Sequence, residues 1–267
     1  MIEIELYRQL AERTVGRTIR EVVAPDAWFL KGVVAAELSD ALTGRAITAA
    51  DRHGKLLLLR AGPVTVGLRF GMTGRLVIDG DAAIDVLEYG TRRVDPRWDR
   101  FGLRLDTGSL VISDPRRLGG VQLEPDVGEL GPDALSISLR QLRAALDGSR
   151  APLKARLLDQ SRVAGLGNLL VDEILWRAGL DPARAAGSLD DPEVRRLHRT
   201  IRSTVARLLA AGGSHLGRLQ ASRAHGGRCP VDGATLQRRQ IGGRTTYSCP
   251  VHQPGPRPGS GGRGGIP

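Results

Sequence analysis

Near the C-terminus, four side chains able to bind a metal fall in two pairs. Cys229 and Asp232 stand in CPVD, Cys249 and His252 in CPVH, with sixteen residues between Asp232 and Cys249. Two such knuckles joined by a short hairpin are the usual scaffold for a tetrahedral zinc, and four protein ligands leave no open position, so this zinc is expected to be structural. The intervening QRRQIGGRTTYS reads as two strands around Gly242-Gly243, which leaves Arg238, Arg239 and Arg244 available to phosphates. The competing reading is a hairpin with two free thiols. The chain has only these two cysteines, and without a secretory start a metal site is a better first reading than a disulfide.

Four further stretches bear on phosphate and duplex chemistry. In VAGLGNLLVDEILWRAG, glycines admit close approach of a phosphate, and the N-terminus of the following helix adds oriented N–H groups. Asn168 is the expected cap of that helix, and Lys154 on the preceding helix is expected to reach the same phosphate; the same spacing also suits a plain helical hairpin. In RHGKLLLL, Lys55 follows a glycine and precedes an apolar strand, and in RFGMTG, Met72 sits in a glycine-flanked turn; taken singly, a solvated turn lysine and a core methionine are the plainer readings. DPRRLGG (114–120) ends another apolar run with two adjacent cations and one bare leucine.

These residues need elements to hold them. A helix is expected over 1–16, stopped at Gly16, with Leu6 and Leu10 on one side. From about 17 to 124 the pattern is mostly strand: 55–60, 64–70, 75–78, 101–106 and 109–114, with a hairpin turn at Asp106-Thr107-Gly108. Near 130 the period becomes helical. One helix starts at a Ser138 cap and stops at Gly148, a short one runs from Pro152, and one runs from Asn168 to Gly179. A long one follows Asp191-Pro192 with the stripe Val194, Leu197, Ile201, Val205, Leu208. The fold class is therefore a multidomain α+β protein. Its expected parts are 1–125 (N-terminal helix and antiparallel β domain), 126–213 (helical), 214–228 (Gly- and Arg-rich linker), 229–253 (Cys/His unit) and 254–267 (Pro/Gly-rich tail, expected disordered).

Lys+Arg outnumber Asp+Glu by 39 to 29, for a net charge of +10, and most cations are Arg. Arg donates two parallel hydrogen bonds to phosphate. The excess points to a polyanionic partner, nucleic acid before membrane surface, although an Arg-favouring codon bias produces the same signature. No apolar run is long enough for a membrane span, and MIEIELYRQL lacks a signal peptide's basic start and apolar middle, so a cytoplasmic, nucleoid-associated protein is expected.

HGK (53–55), GMTG (71–74), DPRRLG (114–119), LGPDAL (130–135), LKARLLDQ with GLGNLLVDEILW (153–176) and GGRTTYSCPVHQ (242–253) together resemble the Fpg/Nei family of DNA glycosylases (formamidopyrimidine-DNA glycosylase and endonuclease VIII), in the family's order and over nearly the whole chain. The resemblance implies an N-terminal helix and β-sandwich, a helix–two-turn–helix domain and a C-terminal β-hairpin zinc finger. It implies base-excision repair: removal of oxidised bases from duplex DNA with β/δ-elimination at the abasic site, by a monomer holding one structural Zn2+. Such enzymes extrude the damaged base and fill the hole, in this family with a Met, an Arg and often a Phe. Met72, Arg116 and Leu118 hold those positions, with Arg116 pairing the orphaned base and Leu118 and Met72 wedging the stack. Lys55 resembles the lysine that contacts the lesion phosphate and helps elimination. Asn168 and Lys154 resemble phosphate clamps. Arg244 resembles the finger arginine that grips phosphate and assists the second elimination. Three departures stand out: Leu118 replaces an aromatic, Asp232 and His252 replace two of the usual four cysteines, and 212–229 is shorter than the loop that caps 8-oxoguanine in well-known members.

The largest departure is at the start. The family usually opens Met-Pro-Glu-Leu-Pro-Glu-Val-Glu, and its N-terminal proline attacks C1′ to form a Schiff base, with the next glutamate as acid/base. This sequence opens Met1-Ile2-Glu3-Ile4-Glu5. Either Ile2 and Glu3 replace Pro and Glu, or IEIE matches the later Pro-Glu-Val-Glu and the start is placed three codons late; the second alignment is preferred, and Glu3 then matches the family's second conserved acid. The leading reading is a glycosylase/lyase with Glu3, Lys55 and Arg244 as catalytic candidates. The alternative is a catalytically inactive damaged-DNA or abasic-site binder. A third, an RNA-binding protein, has no use for the set Met72, Arg116, Leu118.

Overall fold

The computed structural model describes residues 1–84, 87–90, 93 and 95–255. Most of the tail expected over 254–267 lies outside the described residues. The chain forms two compact units, Met1–Glu129 with Leu208–His215, and Leu130–Arg207 with Leu216–Pro267.

The first unit opens with helix α1 (Ile2–Ala11), which buries Ile2, Ile4, Tyr7 and Ala11. A 3-10 turn over Glu12–Thr14 continues it towards Gly16, so the α-helix proper is shorter than the expected span. Strand β1 (Ile19–Val23) and helix α2 (Ala35–Leu42) precede a run of short strands. These are β2 (Ile47–His53), β3 (Leu56–Ala61), β4 (Val64–Arg69), β5 (Arg75–Ile78), β6 (Asp81–Ala82), β7 (Asp99–Leu105), β8 (Ser109–Ser113) and β9 (Gly120–Leu123).

They assemble into a five-stranded sheet ordered β1-β7-β8-β5-β6 and a four-stranded sheet ordered β2-β3-β4-β9, antiparallel at every pairing. Period-two alternation explains the burial: Phe101, Leu103 and Leu105 of β7 and Leu110 and Ile112 of β8 point inward, and Val111 and Ser113 do not. One core joins these side chains to Leu57, Leu59, Val66 and Leu68 of the other sheet and to Ile4 and Tyr7 of α1.

In the second unit, α3 (Leu139–Leu146) starts at Ser138, whose hydroxyl accepts from Gln141 N while the Gln141 carboxamide accepts from Ser138 N. This capping box satisfies two otherwise orphaned donors. Helix α4 (Leu153–Leu158) follows Pro152, α5 (Asn168–Ala178) ends at Gly179 with φ 62°, and α6 (Asp191–Ala211) buries the expected apolar stripe. The hairpin β10 (Gln237–Ile241) and β11 (Arg244–Ser248) pairs Ile241 with Arg244 across Gly242-Gly243. Among the described residues, no helix is long and apolar enough to cross a membrane.

Candidate nucleic-acid interface and metal site

In the first unit, two loops carry the wedge candidates and touch. Met72 follows β4 and Leu118 lies between β8 and β9; both are large apolar side chains left about half exposed. Gly71, at φ 58°, packs so closely that a Cβ there would lie 2.6 Å from the Leu118 Cβ. Gly119 is equally constrained, since its Cβ would meet the Arg69 carbonyl at 2.3 Å. Only glycine permits this approach of the two backbones.

Asp114 holds the loop from within. It is fully buried; Oδ1 accepts from Thr73 Oγ1 at 2.6 Å and Arg116 N at 3.2 Å, and Oδ2 accepts from Gly119 N at 2.8 Å. The adjacent arginines then part company. Arg117, at φ 56°, donates through Nε and Nη2 to both oxygens of Asp26, at 2.7 and 2.6 Å. The Arg117 hydrogen bonds hold the Asp26 carboxyl below the usual range. Arg116 is exposed, and among the described residues its guanidinium has no hydrogen-bond or ion-pair partner. Arg69, missed at the sequence level, is also exposed with its guanidinium unpaired among the described residues, and it pairs in register with Gly120.

Lys55 sits with Gly54 in the two-residue turn between β2 and β3. Arg52 ties that turn to α1, donating through Nη1 to Gly54 O at 2.8 Å and through Nε to Glu5 Oε2 at 3.0 Å. Glu3, in the first turn of α1, accepts from Ser214 N at 2.9 Å, and its Oε2 lies 3.7 Å from the Met1 amine. Burial pushes the Glu3 carboxyl up, but the amine and the Ser214 hydrogen bonds outweigh it and the net shift is downward. Glu3 is therefore an ionised carboxylate at neutral pH.

The second unit gathers Lys154, Asn168 and Arg244. Thr245 O accepts from both Lys154 Nζ (3.0 Å) and Asn168 Nδ2 (3.2 Å). Two expectations are corrected here. Lys154 is not a phosphate clamp: its side chain is fully buried, with Nζ 2.7 Å from Asp172 Oδ1 and donating to Thr246 Oγ1 at 2.8 Å as well as to Thr245 O. Two of the ammonium's three donors hydrogen-bond inside the unit, and its charge pairs with Asp172 there. Burial lowers the Lys154 pKa and Asp172 opposes that shift. Asn168 is not the helix cap; Gly167 is, and Asn168 is the first helical residue. Arg244 is exposed, and its guanidinium is unpaired among the described residues.

The expected linker 214–228 is anchored rather than loose. Glu173 accepts from Arg218 N and Leu219 N at 3.1 and 2.8 Å, Arg223 pairs with Asp172, and Leu219 is buried. Glycine and arginine content masked this, because the anchoring acids lie on α5.

The Cys229 and Cys249 sulfurs and an Asp232 oxygen lie within 4.8 Å of one another. Two buried thiols and a carboxylate fit a zinc donor set. Trp176 Nε1 donates to Cys229 Sγ at 3.3 Å, and burial pushes the Cys249 thiol up to about 11. His252 approaches through its backbone, donating N–H to Cys249 Sγ at 3.2 Å, while its ring lies 5.8 Å from that of Trp176. Its ring nitrogens are outside the close trio.

Comparison with known proteins identifies two family domains in this chain. Residues 1–121 match the formamidopyrimidine-DNA glycosylase N-terminal domain, and 130–219 match the formamidopyrimidine-DNA glycosylase H2TH domain. A formamidopyrimidine-DNA glycosylase of Paracoccus denitrificans is 36% identical, covering 94% of this chain and 98% of that protein. One from Thermus thermophilus is 35% identical over 92% of this chain and 94% of its own length. The Lactococcus lactis enzyme, solved in complex with abasic-site DNA, superposes with a TM-score of 0.79 at 26% identity, covering 95% of this chain and 99% of that one. This chain belongs to the formamidopyrimidine-DNA glycosylase family, a family of DNA glycosylases.

Proposed function

We propose that the protein excises oxidised bases from duplex DNA and cleaves the resulting abasic site. The observation that carries this reading is the pairing of two exposed apolar side chains, Met72 and Leu118, with Arg116, whose guanidinium has no partner among the described residues, on loops fixed by the buried Asp114. Extruding a base leaves a hole and an orphaned partner, and a rigid loop offering apolar wedges and a free donor fork suits both. The name and the complexes of the Lactococcus relative, with abasic-site and Fapy-dG DNA, support the same substrate class.

In this reading Lys55, Arg69 and Arg244 bind backbone phosphates, and Asn168 presents the N-terminus of α5 to another. Lys154 positions the β11 strand that carries Arg244. An amine of the chain attacks C1′ as the base departs, the Schiff base opens the sugar, and elimination releases the 3′ phosphate; Glu3 serves as a carboxylate beside this chemistry. Residues 1–125 extrude the base, 126–213 grip the backbone, 214–228 joins them to the finger, and 229–253 is the finger. A zinc held by Cys229, Asp232 and Cys249 with His252 would stiffen that hairpin and take no part in the reaction. The setting is the cytoplasm, on the nucleoid.

Borohydride trapping on a duplex with one abasic site, followed by mass mapping, tests this. A covalent adduct at the N-terminal segment or Lys55 supports the lyase. Tight abasic-site binding without adduct or base release would establish the inactive binder instead.

A further inference from the structure

Among the described residues, Trp28 is the most exposed of the large apolar side chains, at 66%. Single exposed apolar residues are ordinary on protein surfaces. This one is not placed like a stray residue. It lies in a 3-10 turn, Ala27–Phe29, capped by Asp26, whose Oδ1 accepts from Trp28 N at 3.1 Å. The same oxygen accepts from Arg117 Nη2 at 2.6 Å. One carboxylate therefore fixes both the tryptophan backbone and the loop that carries Arg116 and Leu118.

The neighbouring contacts repeat the link. Phe29 is fully buried, and its ring lies so close to Gly119 that a Cβ there would be 2.9 Å away. Lys31 donates its backbone N–H to Val121 O at 2.8 Å, and its Nζ donates to Trp28 O at 2.7 Å while standing 4.9 Å from the centre of the indole. The 26–31 segment is thus a second edge of the wedge loop, with an indole and an ammonium side by side. Residues 114–120 hold no aromatic side chain themselves.

We propose that Trp28 is a further DNA-contacting residue, packing on the strand opposite the damaged nucleotide beside the orphaned base, with Lys31 taking a phosphate of that strand. An aromatic surface stacks on any base or packs on its sugar, and a flanking cation supplies the backbone contact. The opposite strand is favoured because Trp28 is tied to the Arg116 loop, and the partner assigned to Arg116 is the orphaned base. This inference rests on the function proposed above.

The experiment is fluorescence anisotropy with a duplex carrying one tetrahydrofuran abasic analogue, beside the undamaged duplex. Binding by Trp28→Ala, Trp28→Phe and Arg116→Ala is compared with the unaltered protein, and 2-aminopurine next to the orphan position reports stacking. Trp28→Ala is expected to weaken analogue binding about tenfold without lowering the unfolding temperature. Trp28→Phe is expected to recover most of it. The 2-aminopurine response should diminish in Trp28→Ala on the opposite strand and not on the damaged strand. Unchanged affinity and response in Trp28→Ala would overturn the proposal, leaving Trp28 a plain surface residue. So would a change confined to the damaged strand. Should Trp28→Ala unfold, Trp28→Gln with the same two readouts decides. If the unaltered protein does not prefer the analogue duplex, the proposed function itself fails and this inference falls with it, a result separable from failure of Trp28 alone.

Discussion

The Thr73 hydroxyl donates to Asp114 Oδ1 at 2.6 Å, and both side chains are buried. This bond joins the Met72 turn to the Arg116 loop through their interiors, leaving their tips free. Replacing Thr73 with Val removes the donor and leaves a buried carboxylate oxygen with one partner fewer. We expect a loss of about 1–3 kcal/mol, read as a fall of several degrees in unfolding temperature. Analogue-duplex affinity should fall with it, because Met72 and Leu118 no longer hold their relative positions. Unchanged unfolding and binding would show that the bond does not organise the loops.

Adjacent arginines should separate cleanly. Among the described residues the Arg116 guanidinium has no partner, whereas Arg117 is bidentate to Asp26. Arg116→Ala is expected to weaken damaged-duplex binding by about 1–3 kcal/mol at constant stability. Arg117→Ala is expected to lower stability by about 1–2 kcal/mol and affinity only as a consequence. Thermal unfolding and anisotropy on the same preparations check both; interchanged phenotypes would refute the assignment.

Acid should reveal the Asp26–Arg117 pair. The folded-state carboxyl is lowered from 3.8, chiefly by the Arg117 hydrogen bonds. A depressed carboxyl stabilises the fold above its unfolded value, and that contribution is lost as pH falls through the folded value. Asp26→Asn should therefore be less stable than the unaltered chain at pH 7, with the gap closing below about pH 4. A gap constant from pH 7 to pH 3 would assign the effect to packing.

Much of this was legible in the residues. Ser138 with Gln141, the α6 stripe from Val194 to Leu208, and the alternation in β7 and β8 are local patterns, and local patterns survive folding. Helix α2 was not legible, because Val34 at its start offers no capping side chain; Glu37 reaches back to Val34 N instead. Lys154 misled for a different reason. A lysine in sequence reads as solvated, and only the arrival of Asp172 and β11 makes its burial tolerable. Likewise nothing in RR distinguishes a free arginine from a clamped one, since the clamp, Asp26, is remote in sequence.

The contrast between Lys154 and Arg244 is measurable through salt. Lys154→Met leaves Asp172 buried with one cation fewer, and breaking a buried pair costs about 3–5 kcal/mol. Its signature should be a large fall in unfolding temperature. Arg244→Ala should leave stability intact and reduce the slope of log affinity against log salt by about one. A lysine variant that keeps its stability and loses salt slope would restore Lys154 as a phosphate contact.

The metal makes the last test. Burial holds the Cys249 thiol protonated at neutral pH, and a zinc would displace that proton by stabilising the thiolate. Purified protein should carry about one zinc per chain, and chelation should lower the unfolding temperature while releasing the hairpin. Asp232 lies in the close trio with both sulfurs and the His252 ring lies outside it. Asp232→Ala should therefore lose more zinc than His252→Ala, measured by metal analysis after dialysis. Equal loss would mean that the His252 ring turns inward to complete the set, and no zinc in the unaltered protein would leave Cys229 and Cys249 as two buried free thiols.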